Sequence, residues 1–123
     1  MKYYVFAIAI FSMGVSASEC FDEPSTIQRA QCHGKEVAKL DVQLNLEYKY
    51  AISQLKKNPR VTVEEFRAAQ GLWVKFIEAD CQVKGKLYGG APAWQTVEYQ
   101  MCRKEYYEKQ ILLFKVTSHK AAP

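Results

Sequence analysis

The sequence predicts an all-α protein, a small antiparallel three-helix bundle stapled by two disulfides. Three observations carry that expectation. Apolar residues recur at helical spacing in three long segments, with few competing β patterns. Asn58-Pro59 and the glycine-rich stretch ending at Pro92 break the chain between those segments. Four cysteines, an even number, follow an N-terminus built like an export signal.

The N-terminus comes first. Lys2 opens a short positive region, Tyr3 to Val15 is apolar except for Ser12, and Val15-Ser16-Ala17 supplies the small residues that signal peptidase needs. The expected cut falls after Ala17, making residues 1–17 a signal peptide and 18–123 a single helical domain. The apolar run is too short for a mature transmembrane helix, so no stable membrane insertion is expected after cleavage. Glu19, directly before Cys20, breaks the small-residue pattern of lipoprotein processing. Periplasmic or secreted localisation follows. That compartment favours disulfides among Cys20, Cys32, Cys81 and Cys102, in any of three pairings. Spacings of 12, 49 and 21 residues contain no CxxC clip for zinc.

The first helix starts at Ser25, with Gln28 in capping-box spacing, and runs towards Asn58-Pro59. Val37, Leu40, Leu44, Tyr48, Ile52 and Leu55 form its apolar stripe, and Gly34 predicts a kink or a short separate helix before Lys35. The second helix is capped by Thr62 with Glu65 completing the box and Val61 with Phe66 as the staple. Its buried side reads Phe66, Ala69, Trp73, Phe76, Ile77 and Cys81, and Gly85 ends the pattern. A loop from Lys84 to Ala91 follows. Pro92 suits the first turn of the third helix, which carries Trp94, Val97, Met101, Cys102, Tyr106, Leu112 and Leu113 to about Val116. Residues 117–123 lack an apolar period and are expected to fray.

Without Lys2 the chain holds 16 basic and 13 acidic residues, a net of +3. That is ordinary surface bias, and neither aromatic interleaving nor a basic helix points to nucleic acid. Lys56, Lys57 and Arg60 form the densest basic cluster, at a helix end where they offset the helix dipole.

The ordered motifs resemble the LprI-like lysozyme-inhibitor N-terminal domain family. Asp41, Leu44, Asn45 and Tyr48 match its first block. Gln70 and Trp73, within Arg67-Ala68-Ala69-Gln70-Gly71-Leu72-Trp73 and continuing to Asp80-Cys81, match its second. Gly89-Gly90 matches its glycine turn, and the four cysteines fall in the expected order. The resemblance spans roughly Cys20 to Leu113 and implies a helical fold, a protein partner and possible lysozyme inhibition. The chain departs from the family at Tyr107 and Gln110, which stand where a Thr and an Arg are usual, and at Gly71, where bulkier residues are common.

Asp41, Asn45 and Tyr48 share one helical face, and Gln70 with Trp73 share another. Both sets are expected to build an interhelical hydrogen-bond network that fixes register. No catalytic constellation accompanies them: His33 adjoins a cysteine expected to be oxidised, His119 lies in the tail, and no nucleophile elbow, metal pair or phosphate loop appears. No cofactor or metal is expected. Binding is therefore the favoured activity, with Lys84, Lys86, Tyr88, Gly89, Gly90 and Trp94 as the candidate surface and Tyr88 and Trp94 as anchors. The partner is a protein, with a lysozyme indicated by the resemblance. A net charge of +3 gives no steering towards a basic lysozyme, so the alternative is an envelope-interaction module for another protein or a cell-wall component.

Overall fold

The computed structural model describes residues 19–121, so the expected signal peptide lies outside the described residues. A short 3-10 turn, Glu19–Asp22, leads into α1 (Thr26–Leu55), α2 (Val63–Gly89) and α3 (Pro92–Ala121). No strand occurs among the described residues. The helix starts obey local chemistry. Ser25 accepts from the Gln28 backbone N–H, and Thr62 and Glu65 form a reciprocal capping box. Pro92 opens α3, where a missing N–H costs nothing.

α3 is the centre of the molecule. It packs along both α1 and α2, which scarcely touch each other. α1 runs parallel to α3, as successive pairs show: the Arg29 guanidinium lies over Trp94, Glu36 meets Lys104, and Tyr48 meets Phe114. α2 runs antiparallel to α3, from Phe66 against Phe114, through Trp73 against Tyr107, to the Cys81–Cys102 disulfide. The sequential pair α1 and α2 does run antiparallel, but the broadest packing joins α1 to the non-sequential α3.

The core consists of Val37 and Leu44 from α1, Ile77 from α2, and Tyr107, Ile111 and Phe114 from α3. Tyr48, Phe66 and Phe114 converge near the α1–α2 connection with ring centroids 5.6 to 5.7 Å apart. Aromatic area there closes the gap that the two outer helices leave. At the opposite end the second disulfide, Cys20–Cys32, pins the 3-10 turn to α1, with Cys20 fully buried.

Four boundary and facing expectations are corrected. α1 passes through Gly34 without a break, and α2 continues past Gly85 to Gly89. Gly85 lies inside the helix because α3 comes close: a Cβ there would sit 2.8 Å from the Gln95 carbonyl oxygen. Ala69 and Phe76 on α2, and Leu112, Leu113 and Val116 on α3, face solvent, while Tyr107, Ile111 and Phe114 turn inward. The last segment does not fray within the described residues. It continues the helix to Ala121, burying Ser118, whose hydroxyl donates to the Phe114 carbonyl, and Ala121.

Candidate partner-binding site

The last turns of α2 and the first half of α3 form an edge of the molecule tied by the Cys81–Cys102 bridge. A groove of about 360 Å³ runs along it, lined by Lys84 and Tyr88 from α2 and by Glu98, Met101, Glu105 and Tyr106 from α3. Its wall is a three-residue network. Lys84 Nζ lies 2.7 Å from Asp80 Oδ2, the Tyr106 hydroxyl donates to the same oxygen at 2.6 Å, and the ammonium sits 5.2 Å from the Tyr106 ring centroid. The Lys84 and Tyr106 hydrogen bonds hold the Asp80 carboxyl below its ordinary range, and the Asp80 carboxylate holds Lys84 above its own. Phe76 meets Tyr106 edge-on, its ring centroid 5.9 Å away.

A second polar cluster lies between α2 and α3. The Tyr99 hydroxyl donates to Glu78 at 2.6 Å, and the Arg103 guanidinium stands over the Tyr99 and Tyr107 rings. The Tyr99 hydrogen bond lowers the Glu78 pKa. Burial, followed by the bond to Glu78, pushes the Tyr99 pKa up to about 12. With both carboxylates depressed, each is an anion at neutral pH and a poor proton donor.

The structure splits the surface that the sequence assigned to one loop. Lys84, Lys86 and Tyr88 belong to the end of α2, and only Gly90 and Ala91 lie between the helices. Lys84 and Tyr88 enter the groove. Lys86 belongs instead to a separate hollow with Gln82, Gly85 and Tyr99. Trp94 packs under Arg29 of α1, 5.5 Å from the guanidinium carbon. Gly89 lies hard against the Gln95 backbone, and Gly90, with φ 72°, makes the turn, its carbonyl accepting from the Gln95 side chain.

The motif residues also separate. Leu44 is buried and Tyr48 joins the aromatic cluster, but Asp41 and Asn45 are exposed and, among the described residues, bond only each other, at 3.4 Å. The expected interhelical network therefore does not include them. The stripe that faces α3 is centred on Val37, Leu44 and Ala51, which leaves Asp41 and Asn45 on its flank. Gln70 does bond across helices, to Gln110 at 3.0 Å, and Trp73 packs on Tyr107. Two positions where the chain departs from the family pattern thus contact the second motif block directly. Sequence reasoning missed Tyr99, Arg103 and Tyr106. Asp80 and Lys84 were legible as an i, i+4 pair, whereas the tyrosines carry no local signal of their partners.

Cys20, Cys32 and Glu36 bring their ligand atoms within 4.8 Å of one another. Both sulfurs are bonded to each other, so neither is a thiolate ligand. His33 beside them is buried, its ring edge-on to Phe21 and its Nδ1 3.5 Å from Glu36.

Fold and site together define a disulfide-tied three-helix domain with a tyrosine-rich edge. The chain belongs to the lysozyme inhibitor LprI family, whose model matches residues 18–112. No curated protein and no solved structure matches. Family and disulfides are compatible with an extracytoplasmic protein, and no helix among the described residues is long and apolar enough to cross a membrane.

Proposed function

We propose that this chain is an exported, non-enzymatic binding protein that inhibits lysozyme by occluding the muramidase cleft, using the α2–α3 edge. The observation that carries this reading is membership of the LprI inhibitor family across residues 18–112. The edge supplies contact area: Tyr88 and Leu87 are each 70% exposed, and the groove beside them is lined by Glu98 and Glu105 together with Lys84 and Lys109. Tyrosine brings large contact area at low entropic cost.

Charge distribution removes the objection raised by the net charge. Five lysines, Lys35, Lys39, Lys49, Lys56 and Lys57, stand on or just beyond the solvent side of α1. Taking these five from the 16 basic residues that remain without Lys2 leaves 11 against 13 acidic. The rest of the molecule therefore presents no net repulsion to a basic enzyme.

The direct test is a lysis assay with purified, oxidised mature protein in micromolar excess over chicken-type or goose-type lysozyme, paired with a binding titration. Inhibition is expected, and Tyr88→Ala should weaken it at least about fivefold, with helical content and melting temperature unchanged. If the protein neither binds nor inhibits either enzyme, the lysozyme reading fails and the envelope-interaction alternative takes its place.

A further inference from the structure

We propose that the solvent face of α1 is a docking surface for an anionic phospholipid bilayer. Lys35, Lys39, Val42, Leu46, Lys49 and Ser53 follow one another at alternating four- and three-residue steps, so they form one stripe along the helix. All are exposed, and Val42, Leu46 and neighbouring Tyr50 expose 62%, 63% and 56% of their surface. Lys56 and Lys57 extend the stripe beyond the helix end. The buried residues of α1, including Val37, Leu44 and Ala51, lie on the side that packs against α3.

The stripe itself holds lysines and no carboxylate, although at its N-terminal end Lys35 and Lys39 share a hollow with Glu19, Glu23 and Glu36. The three acidic residues of α1, Glu36, Asp41 and Glu47, lie off it. Glu36 turns to Lys104 of α3, and Asp41 accepts from Asn45 on the flank. Among the described residues none of the five lysines takes part in an ion pair. A helix with lysines along its length and aliphatic and tyrosyl side chains between them suits an anionic interface. The ammonium groups reach the phosphates while Val42, Leu46 and the Tyr50 ring enter the headgroup boundary. Nucleic acid shares the phosphate chemistry but would leave the exposed Val42 and Leu46 against a charged backbone, so the apolar centre favours lipid. The helix would lie on the bilayer without crossing it. Because α1 docks by the side opposite α3, the α2–α3 edge stays free, and the inference stands whether or not that edge binds lysozyme.

The test is co-sedimentation of the oxidised mature protein with phosphatidylcholine vesicles, with or without phosphatidylglycerol. At low salt, partitioning onto phosphatidylglycerol vesicles should exceed that onto phosphatidylcholine alone by at least about a hundredfold, and it should collapse near 0.5 M salt, where the screening length falls to a few ångströms. Reversing Lys35, Lys39 and Lys49 to Glu should abolish the preference. Val42→Ser with Leu46→Ser should weaken partitioning about tenfold at unchanged charge, with circular dichroism confirming intact helices. Reversing the exposed Lys75, Lys115 and Lys120 to Glu serves as the control and should leave most of the binding. Equal partitioning onto both vesicle types, or equal losses from the two triple reversals, would overturn the proposal. So would a silent double serine variant whose lysine face binds duplex DNA as tightly as vesicles, which would assign the face to nucleic acid.

Discussion

Phe114 and Asn45 show how far single residues differ in what they hold. Phe114 is 2% exposed and touches both Tyr48 and Phe66, so Phe114→Ala should cost roughly 3 to 5 kcal/mol in urea denaturation. Trp73→Ala, at a half-buried ring on Tyr107, should fall near the lower end of that range. Asn45→Ala removes one exposed contact and should shift stability by less than about 0.5 kcal/mol. A large loss at Asn45 would restore the interhelical role expected from sequence. Tyr99 gives a pH prediction. In the fold it holds its proton to about 12, whereas the unfolded chain releases it near the ordinary tyrosine value of 10.0. Its contribution is therefore complete below pH 10 and is lost as pH rises towards 12. Alkaline denaturation should show that loss, and Tyr99→Phe should flatten it. Glu78 and Asp80 act in the opposite sense. Their depressed pKa values make their contributions complete above the ordinary carboxylate range, with loss as pH falls through the lowered values.

At the level of elements, glycines within one helix play opposite roles. Gly85 and Gly89 of α2 let α3 approach so closely that a Cβ at either would meet the Gln95 backbone. Gly85→Ala should destabilise by about 1 to 3 kcal/mol through overpacking, and Gly89→Ala by at least as much. Gly71 has nothing within 4 Å of where its Cβ would stand, so Gly71→Ala should stabilise by roughly 0.5 to 1 kcal/mol. A shift of the urea midpoint in the same direction for Gly71 and Gly85 would contradict this account. The same contrast explains the misread boundary. From sequence, Gly85 looks like a helix stop, and only the nearness of Gln95 shows that it permits packing inside a continuing helix. The candidate site was half legible for the same reason. Sequence singles out Lys84 and Tyr88 but places them on a loop, whereas they lie in the last turns of α2, and it groups Trp94 with them although Trp94 packs towards α1.

For the whole molecule, the two disulfides join cysteines 12 and 21 residues apart and tie different things. Cys81–Cys102 joins α2 to α3 and Cys20–Cys32 holds a short turn to α1. Each should contribute about 3 kcal/mol by constraining the unfolded chain. Replacing Cys81 and Cys102 by Ala should also loosen the α2–α3 edge, which the Cys20–Cys32 replacement should not. Intact-mass analysis of the non-reduced folded protein after alkylation should find no labelled cysteine, since all four are bonded. Stoichiometric labelling would rule this framework out.

The sequence by itself determined what short-range chemistry can specify. The caps at Ser25 and Thr62, the proline opening α3, the number of helices and the apolar stripe of α1 all depend on residues within a few positions of one another. The order of motifs also marked the family. Tertiary structure alone decided which side of α3 faces inward. That helix packs against two neighbours in different directions, so its apolar residues have no single period, and Tyr107, Ile111 and Phe114 cannot be separated from Leu112 and Leu113 by spacing. It also decided the cysteine pairing, which rests on distances set by the packed helices. The lysine-rich face of α1 emerged the same way: a net charge counts lysines and carboxylates together, whereas packing against α3 puts five of those lysines on or beside one side and pairs Glu36 with Lys104.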